Sequence, residues 1–406
     1  MGAMSLAAPS PSPESEPPHK ARLALLKRLA DVVSLPSSRV NTFERAVTAD
    51  LLVEILRDAS FEERARVARR LASLSEIPNS LVRMILRDEL DVARPLLEDS
   101  VSLGDADLLD CIRNATGAHR RLIAQRRGIG EVVAEALIDG GETLVIEAVL
   151  KNELARLSHA AVEAVVALTR DNQNMVGMLL RRPELRPSHA YVLFWWANAD
   201  ARRWILQRFA VSREVLQEAA GDVFPMAAAE GWQDPLARKA LQFIERRQRN
   251  RAAIEKSPYE SLDEAMALAS NGVTRELAEE ISYLSGIKPM TGAKIMTDKG
   301  GEPLAILCKS TGLPKSALRS LWRGLQRPET GPDGDVHPDL ARVLNIYDMI
   351  AVDRAQTVLR YWNWSLSSAM TPALLRAIRD QDEAVFEEMT VPQRAAMLAF
   401  ASDFSE

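Results

Sequence analysis

The feature that most constrains this 406-residue chain is a unit that recurs from about Phe61 to Gly221. Each copy holds an apolar helical pattern, a short break rich in Pro, Ser or Gly, and a second amphipathic helical pattern. The breaks follow one another at intervals of 26, 26, 28, 30 and 24 residues. They are Ile77-Pro78, Leu103-Gly104, Ile129-Gly130, Leu157-Ser158, Pro187-Ser188 and Val211-Ser212.

The break residues suit the starts of helices. Ser and Gly serve as N-caps, and Pro78 suits a first helical turn. A helix pair of this length cannot bury its apolar face alone, whereas stacked pairs bury it continuously. The repeat therefore predicts an all-α fold, a right-handed α-solenoid of short HEAT-like helix pairs followed by a smaller all-helical module.

The composition agrees with a folded helical protein. Hydrophobic residues make up 47% of the chain, aromatic residues only 5%, and Arg greatly outnumbers Lys among the 51 cations. Cys111 and Cys308 are too few for a disulfide framework and are expected in the core. With no apolar run of membrane-spanning length and no signal-peptide pattern, we expect a cytoplasmic protein without a membrane span.

Composition shifts divide the chain into six predicted segments. Pro-rich and Gly-rich stretches mark linkers, and periodic apolar patterns mark helices. From Leu340 to Trp364 the pattern predicts one long amphipathic helix. The segments are a disordered Pro-rich leader (1–19), N-terminal capping helices (20–60), the HEAT-like array (61–256), a second helical module with two helix–Gly-turn–helix units (257–326), a flexible loop (327–339), and C-terminal helices with an acidic tail (340–406).

Several short motifs resemble one bacterial family. They are Asp91–Leu97, Gly104–Leu109, Ala118–Ala124 and the stretch from Gly301 to Pro314. The family is a helical-repeat family typical of alphaproteobacteria, known as domain of unknown function twenty-three thirty-six. The resemblance implies a HEAT-like or leucine-rich-variant helical fold over residues 20–330. It implies no established reaction.

Sequence motifs of enzymes do not appear. The chain has no phosphate-binding loop, no nucleophile elbow and no zinc-protease motif. Its five histidines lack metal-ligand spacing, and His159 and His189, each within a Ser-His-Ala triplet, are expected to start helices. We therefore predict neither an enzyme nor a cofactor nor a metal site.

Arginines supply the first candidate binding residues. Arg pairs recur near the ends of the first helices of the repeats, and a basic helix lies between Arg238 and Arg251. Such residues could bind an anion or an acidic partner, or could instead cap helix C-termini through the helix dipole. The candidates are Arg126, Arg127, Arg181, Arg182, Arg246, Arg247, Arg249 and Arg251.

Two further segments suggest interfaces. Residues 304–324 have helix-turn-helix spacing around Gly312, but a copy of the arrangement 26 residues earlier favours a stacked repeat over a DNA reader. Tyr361, Trp362 and Trp364 form an aromatic cluster that either fills a core or seeds a partner interface.

These patterns favour a non-enzymatic, regulatory scaffold that binds a protein or peptide along the groove of the solenoid. The first alternative is a nucleic-acid-binding regulator that uses residues 304–324 or the basic helix 238–251. The second is a sensor of a small anionic ligand such as a nucleotide, held by an Arg pair.

Overall fold

A computed structural model describes residues 16–36, 38–210 and 254–369. Within these ranges every regular element is a helix, apart from one isolated antiparallel bridge between Thr330 and Val336. The prediction of an all-α fold is thus confirmed. Among the described helices, none is long and apolar enough to cross a membrane. The chain divides into two compact units, residues 1–161 and 162–406, and the division falls in the first turn of one helix, α10 (His159–Leu168).

The described part of unit 1 contains nine complete helices, most of which are only two or three turns long. They are α1 (Glu16–Val33), α2 (Thr42–Arg57), α3 (Phe61–Ala72), α4 (Asn79–Leu86), α5 (Leu90–Asp99), α6 (Asp105–Asn114), α7 (Gly117–Gln125), α8 (Glu131–Asp139) and α9 (Thr143–Lys151).

The repeat breaks start helices, as the sequence predicts. Pro78, Gly104 and Gly130 are the N-caps of α4, α6 and α8. The hydroxyl of Ser158 accepts a hydrogen bond from the amide of Ala161, one turn into α10. Ser212 lies outside the described residues. Proline, glycine and serine residues at regular intervals therefore set where these helices begin.

The helices of unit 1 pack in two series. In one, α1 packs on α3, α3 on α5, α5 on α7 and α7 on α9; in the other, α2 packs on α4, α4 on α6 and α6 on α8. Leu52, Leu71, Leu96 and Leu137 are completely buried at these contacts. Each helix thus covers the apolar face of the helix that stands two places later in the chain.

The first helix begins earlier than the leader prediction allowed. Residues 16–19 fall in the predicted disordered leader, yet α1 starts at Glu16 and includes Pro17 and Pro18. Proline fits a first turn, because the amide that it lacks has no partner within the helix there.

Within its described residues, 162–210 and 254–369, unit 2 holds the rest of α10 (His159–Leu168) and ten further helices. They are α11 (Asn174–Arg181), α12 (Pro187–Leu193), α13 (Ala199–Phe209), α14 (Leu262–Ala269), α15 (Arg275–Leu284), α16 (Pro289–Thr297), α17 (Glu302–Thr311), α18 (Lys315–Gly324), α19 (Pro338–Met349) and α20 (Val352–Ala369).

The central helix of unit 2 is α17, which packs against α16, α18, α19 and α20. All of its residues from Glu302 to Cys308 are buried. The single long helix predicted from Leu340 to Trp364 is wrong, because extended backbone at Ile350 separates α19 from α20. The break allows both helices to pack against α17.

The segment 327–339, predicted as a flexible loop, contains a small hairpin. The amide of Gly331 donates to the carbonyl of Asp335 at 2.8 Å, and the amide of His337 donates to Glu329 at the same distance. Gly334 adopts a φ of +84°, which the tight turn requires and which glycine adopts without strain.

Candidate functional site

Arg126, one of the candidate anion-binding residues, caps the end of a neighbouring helix. It follows α7, and its guanidinium donates to the carbonyls of Leu96, Leu97 and Ser100 at the C-terminus of α5; the contacts with Leu96 and Ser100 measure 3.1 and 2.9 Å. Burial lowers the pKa of Arg126. Its neighbour Arg127 is exposed.

The same device recurs in other helices. Asn152, at the C-cap of α9, donates to the carbonyls of Ala124 and Arg126 at the end of α7. In unit 2 the guanidinium of Arg208 donates to the carbonyl of Leu180 in α11 at 2.8 Å. The last carbonyls of a helix lack partners within it, so a side chain from another helix satisfies them. The capping alternative thus accounts for Arg126.

The second Arg pair also divides into one buried and one exposed member. Arg182 is buried and its guanidinium donates to the carboxylate of Glu184 at 2.8 and 3.1 Å. Arg181 is exposed at the end of α11. The remaining four candidates, Arg246, Arg247, Arg249 and Arg251, lie outside the described residues, as does the rest of the basic helix 238–251.

Arg202 forms a buried ion-pair arrangement that sequence reasoning missed. Its guanidinium forms a bidentate pair with the carboxylate of Asp298, at 2.7 and 2.8 Å, and also donates to the carboxylate of Glu302 at 2.9 Å. Its other donors bind the carbonyls of Phe194, Trp195 and Ala197. Burial disfavours the charge of Arg202, but the two carboxylates outweigh it and raise its pKa.

Two other arginines bind the same turn, residues 298–302, which we call the clamped turn. Arg342 donates to Glu302 at 2.9 Å, and Arg327 donates to the carbonyl of Met296 at 3.1 Å and to that of Asp298. Glu302 is completely buried. The Gly301-Glu302 pair of the resemblance motif is thus a structural feature, since Gly301 has a φ of +78° and Glu302 is held by two arginines.

Tyr361 and Trp362 lie in the core of unit 2 instead of on a partner surface. The Tyr361 ring is 5.2 Å from that of Tyr191, and the indole of Trp362 is 4.9 Å from the Phe194 ring. The indole N–H of Trp362 donates to the carbonyl of Tyr191 at 3.2 Å. Of the two interpretations of this aromatic cluster, the core one describes both residues. The side chain of Trp364 lies outside the described residues.

In the helix-turn-helix-like segment, α17, a turn at Gly312 and α18 follow one another as the spacing predicts. Lys315 forms an ion pair with Asp348, and Arg323 makes a bidentate pair with Glu329, from Nε to Oε2 at 2.9 Å and from Nη2 to Oε1 at 3.1 Å. Arg319 is exposed. Of these three cations of α18, Lys315 and Arg323 are therefore engaged with carboxylates of the same unit.

The two repeated histidines both stand at helix starts, as predicted. His159 is the first residue of α10, and His189 lies in the first turn of α12. The Nδ1 atom of His189 accepts from the amide of Arg186 at 3.4 Å.

An exposed apolar stripe on α2 is a second feature that sequence reasoning missed. It consists of Phe43, Val47 and Leu51, whose exposed fractions are 76%, 43% and 53%. Their four-residue spacing places them along one side of the helix. The four-residue spacing can be seen in the sequence, but only the packing of α2 shows that this side of the helix is exposed.

One comparison with known proteins gives a match. The family model of an uncharacterised protein conserved in bacteria, DUF2336, matches residues 92–360. The chain belongs to the DUF2336 family. Searches of the curated proteins and of the solved structures find no match. The DUF2336 region includes Arg126, Arg202 and the clamped turn, whereas α2 lies before it.

Proposed function

We propose that the chain is a non-enzymatic scaffold that binds another protein or peptide in the cytoplasm, and that its helices form a right-handed α-solenoid of HEAT-like pairs. The observation that carries this proposal is the packing of unit 1, in which each helix covers the next helix but one. Arrays of this kind expose long rows of short helices and serve recognition far more often than catalysis.

The arginines support the same proposal. Arg126, Arg202 and Arg327 direct their guanidinium groups to carbonyls and carboxylates of the chain itself. A planar fork with five donors suits this task better than the single ammonium of lysine. The excess of Arg over Lys is then a requirement of helix stacking and does not by itself call for an anionic ligand.

The test is reconstitution with a purified partner. The partner is identified by affinity purification of the full chain from its host, and the purified pair is then analysed by light scattering and hydrogen exchange. We expect a complex of defined stoichiometry whose footprint lies on the described helices. A chain that stays monomeric with every purified candidate would contradict the proposal.

Nucleic-acid binding is the alternative, and the ion pairs of α18 count against it. Binding through this helix would have to break the contacts of Lys315 with Asp348 and of Arg323 with Glu329. Phosphate binding weakens steeply with salt because counterions are released. Salt-sensitive mobility shifts of duplex DNA that are lost in the Arg319→Ala variant would favour this alternative over the scaffold.

A further inference from the structure

Three side chains that can bind a metal ion converge at the starts of α10 and α12. They are those of His159, Glu163 and His189, and their ligand atoms all lie within 4.8 Å of one another. The spacing in the sequence predicts no such site, because 30 residues separate the two histidines. Folding alone brings the three groups together.

α10 supplies two of the three groups. His159 is its first residue and Glu163 stands four residues later, so both side chains lie on one side of the helix, a turn apart. Because α10 is one continuous helix, its own geometry fixes this pair. Helical zinc motifs present two of their ligands at the same four-residue spacing.

The third group comes from the first turn of α12. His189 is buried, and its Nε2 lies 3.8 Å from Oε1 of Glu163. That separation is longer than a hydrogen bond. It is close to the distance between two ligand atoms on one tetrahedral zinc ion, which is about 3.3 Å for bonds of about 2.0–2.1 Å. Small rotations of the Glu163 side chain would make up the difference.

The other ring nitrogen of His189 allows this use of Nε2. Its Nδ1 accepts from the amide of Arg186 at 3.4 Å, which is long for a hydrogen bond. Coordination through Nε2 places the ring proton on Nδ1 and ends this contact. Metal binding therefore costs one long hydrogen bond at the N-cap of α12.

The chemistry of the three groups indicates the kind of ion. Two imidazoles and one carboxylate suit zinc and its first-row neighbours, whereas Mg²⁺ and Ca²⁺ prefer oxygen ligands. Three protein ligands leave a fourth position for water. We infer that His159, Glu163 and His189 bind one zinc-class divalent ion, which ties α12 to α10. This site goes beyond the proposed scaffold function and does not depend on it.

The test uses the full chain without an affinity tag, stripped of metal by a chelator and titrated with Co²⁺ at about pH 7.5, where imidazoles are mostly neutral. We expect one Co²⁺ per chain with the visible absorption of a four- or five-coordinate ion. Zn²⁺ should displace it and Mg²⁺ should not. Zn²⁺ should also raise the melting temperature, because it binds the folded state.

His159→Gln and Glu163→Gln should each weaken Co²⁺ binding about tenfold or more and change the absorption. Both side chains are only partly buried, so circular dichroism should show folded variants. The matched control is His337→Gln, because His337 also accepts from an amide through Nδ1 at a helix start but lies outside the cluster. This variant should bind Co²⁺ like the natural chain.

Equal affinity in His159→Gln or Glu163→Gln would overturn the inference, as would an equal loss in His337→Gln. Several weakly bound Co²⁺ ions with an octahedral spectrum would also overturn it. The stoichiometry and spectrum of the natural chain decide the question even where a variant fails to fold. None of these results bears on the scaffold function, which reconstitution with a partner tests separately.

Discussion

Arg202 and Glu302 are 100 residues apart in the sequence, yet Nη1 of Arg202 lies 2.9 Å from Oε2 of Glu302. Glu302 is completely buried and also accepts from Arg342, and Arg202 is itself buried. The pair joins α13 to the turn that starts α17, on either side of the segment 211–253. The stability of unit 2 therefore depends on an ion pair that cannot be predicted from the sequence around either residue.

Replacing Arg202 by Met should destabilise unit 2 strongly. The change leaves the buried carboxylate of Asp298 without its arginine and removes one of the two arginines that bind Glu302, and breaking a buried pair in this way costs about 3–5 kcal/mol. The neighbouring Arg203 is exposed, so Arg203→Ala serves as the control and should change stability by less than about 0.5 kcal/mol. Urea unfolding followed by circular dichroism measures both, and equal midpoints would contradict the role of Arg202.

Gly301→Ala should cost more than Gly312→Ala, although both glycines have a positive φ, +78° and +83°. A Cβ at Gly301 would lie 2.5 Å from the Trp322 ring, whereas one at Gly312 meets nothing within 4 Å. Backbone strain alone costs about 1–2 kcal/mol for a non-glycine residue in this conformation. Differential scanning calorimetry should show the larger fall in melting temperature for Gly301→Ala, and the reverse order would refute the clamped turn as described.

Arg126→Ala should destabilise unit 1, because the carbonyls of Leu97 and Ser100 lose the guanidinium donor and that of Leu96 keeps only the amide of Ser100. Unsatisfied buried acceptors cost about 1–3 kcal/mol. The exposed neighbour Arg127 provides the matched control, and Arg127→Ala should be nearly neutral. If chemical denaturation gives the opposite order, Arg126 is not a capping residue.

Unit 1 should lose stability in mild acid through His119. Its Nε2 donates to the carbonyl of Asp88, its Nδ1 accepts from the hydroxyl of Thr116, and burial lowers its pKa. In the unfolded chain a histidine takes up a proton near pH 6.5. Below that pH the unfolded state binds more protons than the folded state, so stability falls until the lower folded pKa is reached.

The control for this acid effect is His119→Gln, which keeps a donor for Asp88 but cannot titrate. Urea unfolding at pH 7.5 and 5.5 should show a smaller loss for the variant than for the natural chain. Parallel losses would show that His119 does not carry the effect.

The sequence predicted the repeat because it depends on local chemistry. Pro78, Gly104, Gly130 and Ser158 start helices wherever they stand, and a spacing near 26 residues leaves room only for short helix pairs. The break at Ile350 was not predicted, since the apolar periodicity continues through it. The break lets both α19 and α20 pack against α17, which is a tertiary contact.

Candidate residues were harder to assign than helices. The sequence marks Arg126 and Arg127 as one pair, but only the structure shows that Arg126 caps α5 while Arg127 is exposed. The same holds for Tyr361, for which the sequence favours a core and leaves an interface open, whereas the structure shows Tyr191 beside it.

The sequence by itself determined the helices, their period and their start signals, because propensity and capping act over three or four residues. Tertiary structure alone decided which charges are buried together and which apolar side of α2 faces outward. Those outcomes depend on contacts between residues as distant as Arg202 and Glu302, whose energies arise only when the helices stack and water is excluded.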